Sequence, residues 1–395
     1  MITGKTYREF LCLRQWLLVF VFFFLLSPVT GEAHRLLSDK SFVSLLTCGD
    51  GEEVETYFGH TAIRLCDSTI GVDMVYNYGT YDFDQPHFYW TFTRGNLNYC
   101  LSRTSYAHFI ESYRREGRAV YEQRLLLSAQ ERENMLVLLE TNYQPEYRYY
   151  HYDFFRDNCA TRPRDLIESA LGHHTLHYVP SSERVTYRTV MYDVTETHLW
   201  WRLAFDIVLG LPTDHVCDIR EQMFAPRLLM EQMKQATLDD GSALTDNIEQ
   251  LLPELSTTDN SGPSPLVAAW CLLIVILALS ILALRYGWTL RWLDCILYGV
   301  ALLIALLLLF LWLGTQHFYT DWNLNLLWAS PLWIYFLIRG AKSRPWMVVI
   351  QLTLLLLALL VALTGWPQHL NSAIVPITLV YFVRLSILLR QQRKQ

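Results

Sequence analysis

One cysteine and one histidine of this chain have the residue types and the surroundings of a thiol-based catalytic pair. Cys159 stands in the run RDNCATR at residues 156–162, and His60 stands in FGHT at residues 58–61. A neutral imidazole near pH 7 can take a thiol proton and later return it to a leaving group. The two residues therefore predict nucleophilic attack by sulfur on a carbonyl carbon.

A third group is expected to orient the imidazole. Asn77 is our first candidate, with Asp73 or Asp82 as alternatives, because an amide or carboxylate oxygen can fix the histidine tautomer. Asn158 and Tyr78 lie in the same sequence motifs as the candidate catalytic residues, and we predict that both contact substrate.

A structural interpretation of Cys159 has to be weighed against the catalytic one. Cysteines of exported domains are more often paired than reactive, and Cys48, Cys66, Cys100 and Cys217 are all available partners. Five cysteines cannot all pair with one another inside one domain. At least one thiol is therefore expected to stay free or to pair elsewhere.

The histidines also allow simpler interpretations. A single histidine such as His60 is more often structural or exposed than catalytic. His173, His174 and His177 have a metal-like spacing, but they follow Gly172 in a predicted loop and no fourth ligand is evident. We therefore predict neither a metal nor a cofactor.

The segment after Cys159 has the pattern of an amphipathic helix. Leu166, Ile167 and Leu171 lie on one face of residues 160–171, and Gly172 follows as a C-terminal glycine would. A cysteine at a helix N-terminus lies at the positive end of the helix dipole, which lowers the thiol pKa and favours thiolate. The unpaired N–H groups there could also hold an oxyanion during acyl transfer.

The same half of the chain predicts a mixed α and β domain. A capping box at Ser128 and Glu131 opens one of the predicted helices. We expect strands at residues 42–47, 61–66, 74–78, 88–93, 97–101 and 120–126, and further helices at 105–115 and 128–142.

Composition divides the chain into an exported domain and a membrane domain. Residues 1–31 are predicted to be a signal peptide or signal anchor, since basic residues precede a short apolar run. Residues 32–255 then form the exported domain, 256–265 a polar linker, and 266–395 the membrane domain. The net charge of −6 is mild and no basic stripe is present, so nucleic acid is not an expected partner.

Five apolar runs in the membrane domain approach the length needed to cross a bilayer, and the third is the shortest. Lys and Arg cluster in alternate loops, which places the loops at residues 314–323 and 365–372 outside and the C-terminus in the cytoplasm. The predicted spans are residues 266–284, 292–313, 324–338, 346–363 and 373–389.

The first outer loop combines polar and aromatic residues at the membrane boundary. One interpretation is an ordinary aromatic belt, since Trp and Tyr collect at that depth. The other is that His317, Asn323 and Asn325 contact a lipid head group, because polar residues near membrane depth are costly and often functional.

Four passages of the exported domain resemble the periplasmic domain of the Lnb-type lipoprotein N-acyltransferases of the Bacteroidota. The similarity runs through most of residues 41–171, and the apolar tail resembles the membrane domain of that family. The passages are LTCGDGE at 46–52, FGHTAIR at 58–64, YNYGTYDF at 76–83 and YDFFRDNCATR at 152–162.

The resemblance implies a fold for both domains. The exported domain looks related to papain-like thiol enzymes in which the histidine precedes the cysteine, as in the circularly permuted group with lecithin:retinol acyltransferase. The expected fold class is an α+β papain-like, permuted exported domain followed by an α-helical transmembrane bundle of five spans.

The resemblance also implies an activity, namely lipoprotein N-acylation at the bacterial inner membrane by a multi-pass protein with its catalytic domain in the periplasm. Cys159 would take an acyl chain from a phospholipid, or from a lipid ester on a lipoprotein, as a thioester. The chain would then pass to the α-amine of a diacylated lipoprotein, so the expected partners are these two substrates and the membrane.

Two other classes of function stay open from the residues alone. A membrane-anchored thiol amidase or peptidase could use the same pair of Cys159 and His60 on cell-wall peptide. A non-catalytic envelope assembly protein would keep Cys159 buried or disulfide-bonded.

Overall fold

The computed structural model consists of a sheet domain, residues 36–254, and a helical membrane domain, residues 262–392. The predicted signal segment at residues 1–31 and most of the predicted linker at residues 256–265 lie outside the described residues. Those described are 36–96, 98–180, 183–254 and 262–392.

A seven-stranded antiparallel sheet is the frame of the sheet domain, with the strand order β6-β4-β3-β2-β1-β5-β7. The central strands β1 to β3 lie at or within two residues of the predicted positions. The strands are β1 (Phe42–Cys48), β2 (His60–Asp67), β3 (Val72–Thr80), β4 (Asn98–Ser105), β5 (Val120–Arg124), β6 (Tyr149–His151) and β7 (Glu249–Leu252).

Eight helices accompany the sheet in the described part of this domain. The capping box predicted at Ser128 and Glu131 is confirmed, since each side chain bonds the backbone N–H of the other residue. The helices are α1 (Phe88–Thr93), α2 (Tyr106–Glu116), α3 (Ala129–Tyr143), α4 (Thr161–Ala170), α5 (Tyr187–Val194), α6 (Leu199–Val208), α7 (Ile219–Gln222) and α8 (Pro226–Gln235).

Both faces of the sheet are covered, because neighbouring residues of a strand point to opposite sides. Leu45 and Ile63 belong to a core shared with α3 and α4. The adjacent residues Leu46 and Ala62 instead pack with Phe109 of α2. This sheet between helices confirms the predicted α+β class, whereas the papain-like permutation stays a prediction.

The prediction of a strand at residues 88–93 is wrong, because this run forms helix α1. Its aromatic residues have high β propensity, but propensity depends on context, and a strand also needs a partner. The edge of β4 that could have paired with it is occupied by β6. Within the helix, the hydroxyl of Thr93 donates to the carbonyl oxygen of Tyr89 at 2.7 Å, and Phe88 is the residue that is buried.

The membrane domain contains five helices among its described residues. By length and composition, α9, α10 and α12 could cross a membrane. The predicted count of five spans stays a prediction. The helices are α9 (Pro265–Tyr286), α10 (Arg291–Gly314), α11 (Trp333–Arg339), α12 (Pro345–Thr364) and α13 (Ile374–Gln392).

The predicted third span at residues 324–338 is not a continuous helix. A 3₁₀ turn at Leu324–Leu327 is followed by irregular backbone around Pro331 before α11 begins. Proline lacks an N–H and disfavours helical geometry in the residue before it. Irregular backbone at membrane depth requires protein partners, and here Trp333 donates its ring N–H to the carbonyl oxygen of Trp328 at 2.8 Å, with both rings buried.

Arg188 and Asp206 form a buried ion pair at the junction of the two domains. Nη1 of Arg188 lies 2.9 Å from Oδ1 of Asp206, and the side chains are 1% and 2% exposed. The Asp206 carboxylate also accepts from the hydroxyl of Tyr192 at 2.9 Å and from the amide of Asn371 at 2.8 Å. Its backbone carbonyl accepts from the amide of Asn325 at 2.9 Å. Asp206 therefore forms hydrogen bonds with residues of both domains.

The two membrane-domain loops that lack Lys and Arg both lie against the sheet domain. The backbone N–H of Gln316 donates to the carbonyl oxygen of Arg94 at 2.8 Å. In the second loop, the amide of Gln368 donates to the carbonyl oxygen of Leu209 at 3.0 Å. The ends of α10 and α12 thus lie on the side of the exported domain, as the charge pattern predicts.

We expect Asp206→Ala to lower the free energy of unfolding by about 1–3 kcal/mol, because buried donors of Arg188, Tyr192 and Asn371 lose their acceptor, while Asp214 still pairs with the Arg188 guanidinium. Thermal unfolding of the full chain in detergent would measure this. The matched control is Glu111→Ala, which removes an exposed carboxylate paired with Arg114 on α2; surface pairs of this kind are worth roughly 0–1 kcal/mol. Equal shifts for the two variants would contradict the prediction.

Candidate functional site

The two predicted catalytic residues meet at the end of the sheet where β2 begins and β3 ends. His60 is the first residue of β2, and Cys159 lies two residues before α4. Near the end of β3, Gly79 has a φ of +83°, and a Cβ added there would lie 3.5 Å from the Cβ of Cys159. Glycine suits both this backbone conformation and the close approach of the cysteine loop.

His60 and Cys159 line one cavity of about 240 Å³ and are partly exposed to it. A mostly apolar cavity with a few convergent polar groups is typical of a small-molecule site. The charged side chains of Glu55 and Arg118 also reach this cavity. The aromatic lining residues are Phe58, Tyr81, Tyr99, Tyr113, Tyr152, Phe154 and Phe224.

Asn77 is the residue that the structure places beside His60, with Oδ1 of Asn77 3.3 Å from Nε2 of His60. An amide oxygen only accepts hydrogen bonds, so Nε2 carries the proton and Nδ1 keeps its lone pair. The two alternatives have other partners, since Asp73 pairs with Arg64 and Asp82 accepts from the hydroxyl of Tyr149. The orienting role of Asn77 stays a prediction.

The acidity of Cys159 differs from what its position before a helix predicts. Burial raises the pKa of the Cys159 thiol to about 11. Hydrogen bonds from the backbone N–H groups of Thr61 and of Cys159 itself, and the charge of Arg118, lower the pKa but do not offset the burial. The resting residue is therefore a neutral thiol and not a thiolate.

The first N–H groups of α4 are also not free to hold an oxyanion, because Asn158 caps the helix. Its Oδ1 accepts from the N–H groups of Ala160 and Thr161 at 2.8 and 2.9 Å. Its amide nitrogen donates to the carbonyl oxygens of Phe154 and Phe224, each at 2.8 Å. All four bonds of this side chain shape the loop of Cys159; a contact of Asn158 with substrate stays a prediction.

His60 is held in its basic, uncharged form. Burial lowers the pKa of His60 to about 4, the bond to Asn77 raises it in part, and the positive charge of Arg118 lowers it. A neutral imidazole and a neutral thiol thus line the same cavity, as a general base and its nucleophile would before reaction.

Arg118 is a site residue that the motifs did not indicate. Its Nε donates to the carbonyl oxygen of Gly49 at 3.0 Å, and Nη1 lies 3.0 Å from a carboxylate oxygen of Glu116. These contacts hold the guanidinium against the cavity, where its charge favours thiolate at Cys159 and opposes protonation of His60. In the sequence, Arg118 is a single arginine after a helix C-terminus, with no pattern that points to a site.

The other predicted substrate contacts lie outside this cavity. Tyr78 is 1% exposed, and its hydroxyl accepts from the amide of Asn142 at 2.7 Å. Nε2 of His317 lies 3.2 Å from the carbonyl oxygen of Thr93. The buried amides of Asn323 and Asn325 bond to the backbone of residues 206 and 207. These three membrane-domain residues join the domains; a role in binding a head group stays a prediction.

None of the seven cysteines in the described part of the chain forms a disulfide. Cys159 is thus available for reaction in this structure, and the four proposed partners are free thiols as well. The seven are Cys48, Cys66, Cys100, Cys159, Cys217, Cys271 and Cys295.

Two protein-family models match the chain, one in each domain. The model of the Lnb N-terminal periplasmic domain matches residues 34–192, and the model of the Lnb transmembrane domain matches residues 257–395. The two occur in this order and together include His60, Cys159 and the whole helical bundle. No curated protein and no solved structure matches the chain.

We expect the rate of Cys159 alkylation by iodoacetamide to rise about tenfold per pH unit from pH 7 to pH 10, because thiolate is the reactive species and the thiol pKa is about 11. Mass spectrometry of the peptide containing residue 159 would follow the reaction in the intact protein. Arg118→Met should slow it at each pH, since the guanidinium favours thiolate. A rate that is constant below pH 9 would indicate a thiolate–imidazolium pair instead.

Proposed function

The chain belongs to the Lnb family, and from this premise we propose that it is a lipoprotein N-acyltransferase that works through a thioester on Cys159. The observation that carries the proposal is the shared cavity of Cys159 and His60, with Asn77 behind the imidazole. The aromatic lining of this cavity suits an acyl chain better than it suits a polar peptide.

In the first half of the reaction, Nδ1 of His60 takes the proton of Cys159 as the sulfur attacks the ester carbonyl of a phospholipid. His60 then returns that proton to the departing lyso-lipid oxygen as the carbon–oxygen bond breaks, which leaves an acyl thioester on Cys159. Deprotonation and attack have to be coupled because burial disfavours a free thiolate.

In the second half, the neutral α-amine of a diacylated lipoprotein attacks the thioester carbonyl. His60 accepts a proton from the amine nitrogen and delivers it to the departing sulfur, so the amide forms and the thiol of Cys159 is restored. With a pKa of about 4, His60 is unprotonated at the start of each half-reaction, and as a weak base it takes a proton only as the nucleophile attacks.

In both half-reactions the carbonyl oxygen develops negative charge, which hydrogen-bond donors have to stabilise. The backbone N–H groups of Thr61 and Cys159 already lie within bonding reach of the sulfur. We assign them to the oxyanion in place of the α4 amides that Asn158 occupies, because preorganised N–H groups beside the reacting atom stabilise developing charge.

A second cavity offers separate room for the acceptor. It has a volume of about 360 Å³ and shares Phe58 and Gly59 with the catalytic cavity. The shared wall directly precedes His60 in the chain, so an amine that enters from this side approaches the base that has to deprotonate it.

Expression of the chain in cells that lack their own N-acyltransferase should yield triacylated lipoproteins, and Cys159→Ser and His60→Ala should each abolish the product. Loss of a general base costs roughly 10²–10⁴-fold in rate. Mass spectrometry of a lipoprotein N-terminal peptide measures the outcome directly. Triacylated peptide from the Cys159→Ser protein would contradict the thioester scheme.

The same expression experiment separates the acyltransferase from a thiol amidase. An amidase would leave the lipoprotein peptide unchanged and would shorten the stem peptides of the cell wall. Mass spectrometry of digested cell wall from the same cells detects that change.

We expect Asn77→Ala to lower the acylation rate by about fivefold, since one neutral hydrogen bond that orients His60 is worth about 1 kcal/mol. Asp82→Ala is the matched control, because Asp82 bonds to Tyr149 and not to the imidazole. Initial rates with purified protein would show the difference. Equal rates for Asn77→Ala and the wild type would remove Asn77 from the mechanism.

A further inference from the structure

Helix α1 and the turn before it present aromatic side chains to the outside of the sheet domain. Phe83, Tyr89, Trp90 and Phe92 are 68%, 79%, 58% and 44% exposed, although they lie within ten residues of one another. Contiguous exposed apolar surface of this kind marks an interaction site more often than scattered single residues do.

The position of α1 relative to the membrane domain indicates which environment this aromatic surface contacts. The helix is bonded to the loop that directly follows α10, since the N–H of Gln316 donates to the carbonyl oxygen of Arg94 at 2.8 Å. Nε2 of His317 lies 3.2 Å from the carbonyl oxygen of Thr93. Helix α10 ends at Gly314, so α1 lies at the level where a membrane-crossing helix leaves the bilayer. Tyr and Trp are enriched at that level of membrane proteins.

The polar groups of α1 also suit an interfacial position. The hydroxyls of Thr91 and Thr93 donate to carbonyl oxygens within the helix turn, at 3.1 and 2.7 Å, so neither needs water. Arg94 is exposed and has no acidic partner among the described residues, and its guanidinium lies 5.9 Å from the ring centroid of Trp90. An unpaired arginine beside an aromatic surface can bind a lipid phosphate.

An unbroken series of aromatic rings leads from this surface to the thiol. The ring centroid of Tyr81 lies 5.8 Å from that of Phe83 and 6.3 Å from that of Phe92. Tyr81 is 4.8 Å from Tyr99, and Tyr99 stacks on Tyr152 at 4.0 Å. Tyr81, Tyr99 and Tyr152 line the cavity of Cys159. A Cβ added at position 79 would lie 3.5 Å from both Tyr152 and Cys159.

We propose that α1 inserts its exposed aromatic side chains among the lipids of the leaflet that faces the sheet domain, and that the ring series is the route by which a lipid acyl chain reaches Cys159. The membrane contact stands on its own observations, whereas the acyl route rests on the proposed function. The surface is assigned to lipid, and not to a protein partner, because it continues from the end of a membrane helix.

The membrane contact is tested by a lipid cross-link that needs no catalysis. Benzoylphenylalanine replaces Tyr89 in the full chain, which is reconstituted in vesicles of phosphatidylethanolamine and phosphatidylglycerol and illuminated. Mass spectrometry should find lipid adducts at position 89. The control position is Ile70, which is 55% exposed in the turn at the other end of β2. Absence of lipid adducts at position 89, or equal yields at both positions, overturns the proposal.

The acyl route is tested by the acyl-thioester that forms on Cys159 from two donors. The double variant Tyr89→Ser, Trp90→Ser should form it about tenfold more slowly from dioleoyl phosphatidylethanolamine in vesicles, since interfacial affinity scales with buried apolar area. The rate with monomeric dihexanoyl phosphatidylethanolamine should stay within about twofold of the wild type, because that donor needs no bilayer contact. Equal losses with both donors, or no loss with either, overturn the route.

Trp292→Ser is the matched control for the vesicle assay. Trp292 is 60% exposed, close to the value for Trp90, and it lies at the opposite end of α10 from α1. Its rates should equal those of the wild type with both donors. If the wild type forms no thioester from either donor, the proposed function fails, and the cross-link at position 89 still decides the membrane contact.

Discussion

The buried pair of Arg188 and Asp206 fixes the sheet domain on the membrane bundle, and the rest of the structure depends on that position. A buried charge is tolerated where its partners satisfy it, and Asp206 draws partners from both domains, including Tyr192 and Asn371. A tilt between the domains would break the bonds that Asn325 and Asn371 of the membrane domain donate to Asp206, whereas the pair with Arg188 lies within the sheet domain and would remain. The cysteine loop is held by the same junction, where Phe155 packs on Tyr319 of the membrane domain with ring centroids 4.2 Å apart.

Burial explains the acid–base properties of the site. Burial acts on both members of the pair in the direction of the neutral form: it raises the pKa of Cys159 and lowers the pKa of His60. The charge of Arg118 lowers the pKa of both groups, so it makes Cys159 more acidic and keeps His60 unprotonated as a weaker base. In the proposed mechanism, such a pair exchanges its proton only when an electrophile is in place.

Sequence patterns predicted those elements whose structure depends on residues close to one another in the chain. The central strands follow from side-chain alternation, and the capping box at Ser128 follows from bonds within four residues. Asn77 lies near His60 because the two residues belong to the paired neighbouring strands β2 and β3. The run at residues 88–93 misled because its aromatic residues have high β propensity, whereas the strand edge that could have paired with it is occupied by β6. Arg118 acts across the fold, through its position near two residues distant in sequence, and no local pattern carries that information.

The neutral state of Cys159 also addresses a hazard that any exported thiol enzyme meets. The thiolate is the form that oxidants and disulfides attack, and exported compartments are oxidising. Burial raises the pKa of Cys159 to about 11 and the pKa values of Cys48 and Cys217 to about 12 each, which keeps these thiols in their less reactive form. Asn158 adds to this protection, because it occupies the first N–H groups of α4 that would otherwise stabilise a thiolate. In the proposed mechanism, His60 makes the sulfur reactive only at the moment of attack, so the burial that slows the free thiol also confines its chemistry to molecules that enter the cavity.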